Sequence, residues 1–406
     1  MDRRLRVAFI HPDLGIGGAE RLVLDAATHL RAAGHRVTIF TANYDPERCF
    51  DETKNGGLEL RVYGAWLPMQ VAQHLRAPCA ITRMVYLAGR MAISPERFDV
   101  VVCDLVSHAI PVLRLLTSAR IIFYCHFPDR LLTPPRAGWY QWYRAPIDRL
   151  EEVTTGMAHR VLVNSEFTAA AFERTFARLG GLRPEVLYPG VDVEGRDNLN
   201  GASPDTGLTQ ILSLSRYEHK KNIGLAIAAM AALRERLPPL VFERLQLVIA
   251  GGFDQRLREC RDTFAGLQAQ ARSLGLEEQI VFHRSIAESQ RRALLSRCLC
   301  VVNTAEHEHF GYVPLEAMAA GRPVVAVNNG GPAETVADGV TGLLCAAAPA
   351  AFARALERLI ADPAAVARMG RAARDHVATR FSKAAFGARL EQLIAEESDL
   401  RTGVAR

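Results

Sequence analysis

The sequence predicts an α/β protein built from two doubly wound, Rossmann-like domains of parallel sheet, and three observations predict it. Short β-rich apolar runs alternate with amphipathic helical stretches along all 406 residues, the pattern of repeated strand–helix units. The runs are apolar at successive positions, as in Asp-Val-Val-Val-Cys at 99–103, which suits strands buried on both faces. A stretch at 190–207, rich in Gly, Asp, Asn and Ser, carries no apolar period and divides the chain.

In chain order, the first half offers strands at 5–11, 36–41, 58–63, 98–103, 120–126, 160–164 and 185–188. The second offers 210–215, 245–250, 280–283, 300–304 and 324–327. The helix expected at 19–33 stops at Gly34, and that at 223–236 stops before Pro238 and Pro239. The expected organisation is an N-terminal domain at 1–190, a second domain at 191–382, and a helical segment at 383–406 able to return to the first. Ligands of open parallel sheets bind beyond the carboxyl ends of the strands. Two such domains facing each other across a deep cleft would line it with the residues that follow the strands.

Composition narrows the class. Hydrophobic residues at 49% and charged residues at 23% are ordinary for a soluble globular protein, and exclude disorder, collagen-like repeats and a disulfide scaffold. The net charge is +5, and the basic residues, only four of them Lys, are spread along the chain. A nucleic-acid binder would concentrate them. Eight Cys include no Cys-x-x-Cys pair and read as buried free thiols of a reducing compartment. No signal-peptide pattern and no run of about 18 apolar residues appears, so the expectation is a soluble or peripheral protein whose active part faces the cytosol.

The residues after the strands carry the chemistry. Gly15, Gly17 and Gly18 open a helix after the first strand, where backbone and helix amides favour an anion; a plain tight turn reads equally well. Arg216 ends a strand and Lys221 follows five residues later. A guanidinium fork and a point charge can surround a diphosphate, unless the pair is only a solvated basic turn. Glu308 and Glu316 bracket His309, Phe310 and Gly311 between a strand and a helix. Ionised carboxylates there could grip sugar and ribose hydroxyls, although Glu316 also suits a helix N-terminus, and His307 with His309 lacks a third metal ligand nearby. Asn328–Glu334 closes the next strand as another glycine-rich turn. His126 ends a strand of the first domain, with His11 and His108 as weaker candidates of the same type.

Together these positions resemble the retaining GT-B glycosyltransferases, which use nucleotide-activated sugars. Glu308 and Glu316 match that family's paired donor-site acids, Arg216 and Lys221 its diphosphate pair, and Gly17 and Gly18 its glycine turn. The resemblance narrows further. HPDLGIGGAERLVLDAA, FDVVVCD, FYCHFPD, YRAPIDRLEE, RYEHKKN and EHFGYVPLEAM are similar to the α-1,3/1,6-mannosyltransferases of the asparagine-linked glycosylation pathway. That resemblance runs from about residue 7 to 386. It implies GDP-mannose as donor and a dolichol-pyrophosphate-linked Man1GlcNAc2 acceptor. It also implies a place on the cytosolic face of the endoplasmic reticulum membrane, with other early glycosyltransferases of the pathway as partners.

Both donor and products are α-linked, so the implied reaction retains configuration. No carboxylate nucleophile stands out, which favours front-face transfer assisted by the leaving diphosphate. On this reading Arg216, Lys221 and the Gly17–Gly18 amides stabilise charge on the diphosphate. Glu316 holds the ribose and Glu308 the mannose, His309, Phe310 and Gly311 belong to the donor site, and His126 positions the sugar or polarises the attacking hydroxyl. No cofactor and no metal are expected.

Relatives carry hydrophobic membrane-associated segments, whereas here 71–93 is broken by Arg76, Arg83 and Arg90. These Arg form a stripe opposite Ile81, Val85 and Ala88, as in an interfacial helix or a surface helix packed on its own domain. A second membrane candidate, 136–149, holds Trp139 and Trp142 among Arg residues. Transfer to another lipid or to phosphatidylinositol is the enzymatic alternative. An NAD-dependent oxidoreductase is disfavoured by the imperfect glycine spacing and by Thr41-Ala42 where an acid would end the second strand. A non-catalytic nucleotide-binding subunit is the third.

Overall fold

The computed structural model describes residues 4–54, 56–70, 76–132, 139–193 and 207–403. The chain divides into two compact units, one formed by Met1–Gly190 with Lys383–Arg406, the other by Val191–Ser382.

The first unit is a seven-stranded sheet among the described residues. Its strands are β1 (Arg6–His11), β2 (Arg36–Thr41), β3 (Glu59–Val62), β4 (Val100–Asp104), β5 (Arg120–Cys125), β6 (Arg160–Val163) and β7 (Glu185–Val186). Their order is β3-β2-β1-β4-β5-β6-β7, every pair parallel. The order reverses between β1 and β4, so their carboxyl ends flank the switch point where such sheets bind ligands. Every residue of β4 is buried, as its unbroken apolar run requires.

Helices cover both faces of this sheet. Helix Gly18–Ala32 buries Leu22, Val23, Ala26, Ala27 and Leu30 on one stripe. Helix Lys383–Thr402 packs beside it, burying Phe386, Leu390, Leu393 and Ile394 in the same cluster. Each of these four side chains contributes about 1.5–3 kcal/mol by leaving water. Lys383 reaches Asp25 at 3.1 Å, and Glu397 joins Arg120 at 2.7 Å and Arg160 at 2.9 Å. The opposite face is closed by helix Arg76–Ala92, whose Met84, Leu87, Ala88 and Met91 join the buried cluster over β1 and β2.

The second unit has a six-stranded parallel sheet among the described residues. It comprises β8 (Thr209–Leu214), β9 (Leu245–Gly251), β10 (Ile280–Arg284), β11 (Cys300–Asn303), β12 (Val324–Val327) and β13 (Gly342–Cys345), in the order β10-β9-β8-β11-β12-β13. Its switch point lies between β8 and β11. The sequence reading placed no strand at β13, whose four residues are too short and mixed to show a period. All eight cysteines are buried free thiols.

One expectation about membrane-facing segments changes here. Arg83 was placed on an outward stripe opposite Ala88, yet both are buried, at 4% and 0% exposure. The core of the first unit needs Met84, Leu87 and Met91, and turning those inward carries Arg83 with them. Arg90 stays exposed with its guanidinium 4.8 Å from the Tyr63 ring centroid, so this helix packs on its own unit. Residues 71–75 and 136–138 of the two candidate stretches, and 194–206 of the dividing stretch, lie outside the described residues. In helix Trp139–Thr155, Trp142 is 86% exposed. The backbone of Trp139 lies in that helix, and its side chain is outside the described set.

Candidate active site

The strand ends of the second unit gather four of the predicted donor residues, Arg216, Lys221, Glu308 and Gly311. A cavity of about 220 Å³ is lined by Ser215, Arg216, Lys221, Thr304, Glu308 and Gly311, among others. Lys221 is placed by a left-handed residue, Asn222 (φ 47°), and by Thr304, whose hydroxyl donates to the Lys221 carbonyl at 2.9 Å. Its Nζ lies 2.5 Å from Oε2 of Glu308. Arg216 extends outward and pairs with Glu218 at 2.9 Å. The residues expected at the diphosphate and at the sugar therefore line one cavity.

The loop that carries Glu308 is held by the next turn. Gly331 N–H donates to the Glu308 carbonyl at 2.7 Å. A Cβ on Gly331 would collide with the Phe310 backbone, and one on Gly330 (φ +65°) with that of Glu308. Only glycines permit this approach, which gives the Asn328–Glu334 turn a structural purpose. Phe310 is buried, its ring centroid 5.3 Å from that of Tyr312. His309 is half-buried beside it. Gly311, at φ 89°, ends the loop and opens helix Tyr312–Ala319, which carries Glu316. Glu316 is paired with Arg291 of helix Glu288–Arg297. Arg291 lies 25 residues away in sequence, and nothing local pointed to it.

In the first unit, Gly17 caps helix Gly18–Ala32 from an extended conformation. Glu20 folds back over this turn, so a side chain at Gly17 would strike its carboxylate. An anion at the Gly17–Gly18 amides would thus have Glu20 as a neighbour.

His126 follows β5 and lies beside two residues that the sequence reading ranked low or passed over. Its Nε2 is 2.8 Å from Oδ1 of Asp104, at the end of β4. The other oxygen, Oδ2, is 2.7 Å from Nδ1 of His11, at the end of β1. The adjacency of β1, β4 and β5 brings the three together; a polar residue closing each of three neighbouring apolar strands was the available signal. Burial opposes the charge on Asp104, but His126 and His11 overcome it and hold the carboxyl well below the usual carboxylate range. For His11 burial also opposes the charge, and contacts with Asp104 and Glu20 outweigh it, raising the imidazole to about 9. His108 is buried and burial lowers its pKa; it stands apart from this trio.

Comparison with known proteins gives the arrangement its context. Residues 198–376 match the family described as Glycosyl transferases group 1, and residues 16–194 match Glycosyltransferase Family 4. The chain is 45% identical to the α-1,3/1,6-mannosyltransferase ALG2 of Mus musculus over 399 residues, covering 96% of each chain. It is 46% identical to the Homo sapiens protein of the same name, covering 96% of this chain and 95% of that one. Among solved structures, sucrose-phosphate synthase of Thermosynechococcus elongatus superposes with a TM-score of 0.76 at 22% identity, covering 97% of this chain and 99% of that one. That likeness identifies the fold as the GT-B type. By its identity to relatives along nearly its whole length, the chain belongs to the α-1,3/1,6-mannosyltransferase family of glycosyltransferases.

Proposed function

We propose that this mannosyltransferase moves mannose from GDP-mannose to a dolichol-pyrophosphate-linked Man1GlcNAc2 acceptor in N-glycan precursor synthesis, forming α-1,3 and α-1,6 linkages. The observation that carries the reading is the shared cavity of Arg216, Lys221 and Glu308 at the β8 and β11 strand ends. Lys221 and Arg216 take the diphosphate, Glu316 the ribose, and Glu308 with His309 the mannose. Within the first unit, the Gly17–Gly18 amides suit an anion and His126 a sugar hydroxyl.

Transfer proceeds on one face of the sugar. The bond from C1 to the diphosphate oxygen breaks while the acceptor hydroxyl oxygen bonds to C1. The hydroxyl proton passes to the departing diphosphate. Lys221 and Arg216 stabilise the charge that develops there, a contribution of about 3 kcal/mol for such a donor. Because the chain supplies these cations itself, the reaction needs no divalent metal on this reading. The enzyme works at the cytosolic face of the endoplasmic reticulum, beside other early glycosyltransferases of the pathway. Among the described residues no helix is long and apolar enough to cross a membrane.

The test is incubation of the protein with GDP-mannose and a lipid-linked mono-mannosyl acceptor, with and without chelator, reading product mass and linkage. Two added α-linked mannoses in both arms are expected. Binding of GDP without turnover overturns the catalytic assignment, and loss with chelator that magnesium or manganese restores overturns the metal-free one.

A further inference from the structure

Of the three residues His11, Asp104 and His126, His126 alone has appreciable access to solvent. Its side chain is 19% exposed, against 0% for His11 and 1% for Asp104. Asp104 cannot itself meet a sugar, and a buried carboxylate between two imidazoles is not something a parallel sheet requires. Replacing such a group by an apolar one is often neutral or favourable for stability. Its geometry instead serves the imidazole it touches.

Asp104 Oδ1 stands 2.8 Å from His126 Nε2 as an ion-pair contact, out of line for a hydrogen bond, and a carboxylate so close to a ring nitrogen favours the proton on that nitrogen over a facing lone pair. We infer that Asp104 is a positioning residue for sugar transfer: held by buried His11, its carboxylate fixes the His126 ring with the proton on Nε2, leaving Nδ1 to accept from a sugar hydroxyl. The inference rests on the assignment of His126 to the sugar or acceptor. One further contact touches the same ring, one holds the His126 backbone, and one supports His11. The Tyr124 ring centroid lies 4.8 Å away, Asn164 Nδ2 donates to the His126 carbonyl at 2.9 Å, and Oε1 of Glu20 stands 3.9 Å from Nε2 of His11. Acid and base thus alternate from Glu20 through His11 and Asp104 to His126, drawn from helix Gly18–Ala32, β1, β4 and the end of β5. Against burial, contacts with Asp104 and Glu20 raise the His11 pKa, and the imidazole in turn favours the ionised form of Asp104. A carboxylate that orients a histidine and selects its tautomer is a recurrent catalytic device.

The experiment compares Asp104→Asn, His126→Ala and the double variant by GDP-mannose turnover, with NMR of 15N-histidine-labelled wild type to read the His126 tautomer. Asp104→Asn should lower kcat by about 10²-fold with little change in KM for GDP-mannose. The double variant should be no slower than His126→Ala alone, since residues acting as a unit do not add. The neutral His126 ring should carry its proton on Nε2. Wild-type kcat in Asp104→Asn, additive losses in the double variant, or a proton on Nδ1 would each overturn the inference. Full activity in His126→Ala would instead overturn the underlying assignment of His126. Should Asp104→Asn fail to fold, the tautomer in the wild type decides alone.

Discussion

Nζ of Lys221 and Oε2 of Glu308 lie 2.5 Å apart, so in the free protein the cation assigned to the donor's diphosphate is neutralised by the carboxylate assigned to its sugar. On the proposed assignment donor binding would exchange this pair for two new contacts, and removing either member should have opposite consequences for GDP alone. Lys221→Ala should weaken GDP binding and cost the transition state about 3 kcal/mol. Glu308→Gln, which frees the lysine, should bind GDP at least as tightly as wild type while transfer falls. Calorimetry with GDP beside turnover assays separates the two, and weaker GDP binding in Glu308→Gln would contradict the exchange.

Arg291 and Glu316 make a second linked pair, remote in sequence and joined in the second unit. If Glu316 accepts from ribose hydroxyls, Glu316→Ala loses charge-assisted hydrogen bonds of about 1.5–3 kcal/mol, roughly 10- to 100-fold in GDP affinity. Arg291→Ala leaves the carboxylate in place but less oriented. It should cost about 1 kcal/mol or less, as partly exposed ion pairs do. Titration of both variants with GDP should rank them in that order.

Two buried groups tie stability to pH in adjoining windows. Burial pushes the Glu151 carboxyl from its ordinary 4.5 up to about 7, against a backbone N–H from Asp129 at 2.8 Å. Contacts with Asp104 and Glu20, overcoming burial, lift His11 from 6.5 to about 9. Both groups hold their proton more tightly folded than unfolded, so stability from each is fully present below the ordinary value. It is lost as pH rises through the folded one. Denaturation curves should show stability falling from pH 4.5 to 7 through Glu151 and from 6.5 to 9 through His11. Glu151→Gln, which keeps the acceptor for Asp129, should flatten the lower part only.

Trp142 is 86% exposed on a helix whose Leu150 and Val153 are also open to solvent. An indole among arginines suits the headgroup boundary of a bilayer. Wild-type protein should float with anionic liposomes at low salt and less so at high salt, and Trp142→Ala should float less at both. Arg83, buried in the first unit, should when changed to Ala reduce stability and leave flotation of the folded protein unaltered. Wild type that stays soluble throughout would rule out this segment as the contact.

Much of the fold was legible because parallel strands buried on both faces declare themselves as unbroken apolar runs. Val100–Asp104 could be read as a strand without knowing its neighbours. The donor loop was legible too, since Glu308, Gly311 and Glu316 lie within nine residues of one another. What escaped depends on distance along the chain. Asp104 meets His11 across 93 residues, and neither local spacing nor composition couples them. Arg83 escaped for another reason. Helical periodicity says which residues share a face, but the apolar neighbours Met84 and Leu87 decide which way that face turns.

The return of helix Lys383–Thr402 onto helix Gly18–Ala32 has a consequence for the order in which the protein can be made. The second unit is contiguous, from Val191 to Ser382, and can close its sheet as soon as that stretch leaves the ribosome. The first unit cannot. Leu22, Val23 and Leu30 wait for Phe386, Leu390 and Ile394, and at about 5–20 residues per second that wait is on the order of 20–70 s. During it, apolar surface of the first unit is open to chaperones and to other nascent chains. The earlier-made half is therefore the later to mature, and substitutions in the last helix should show up first as reduced yield of soluble protein.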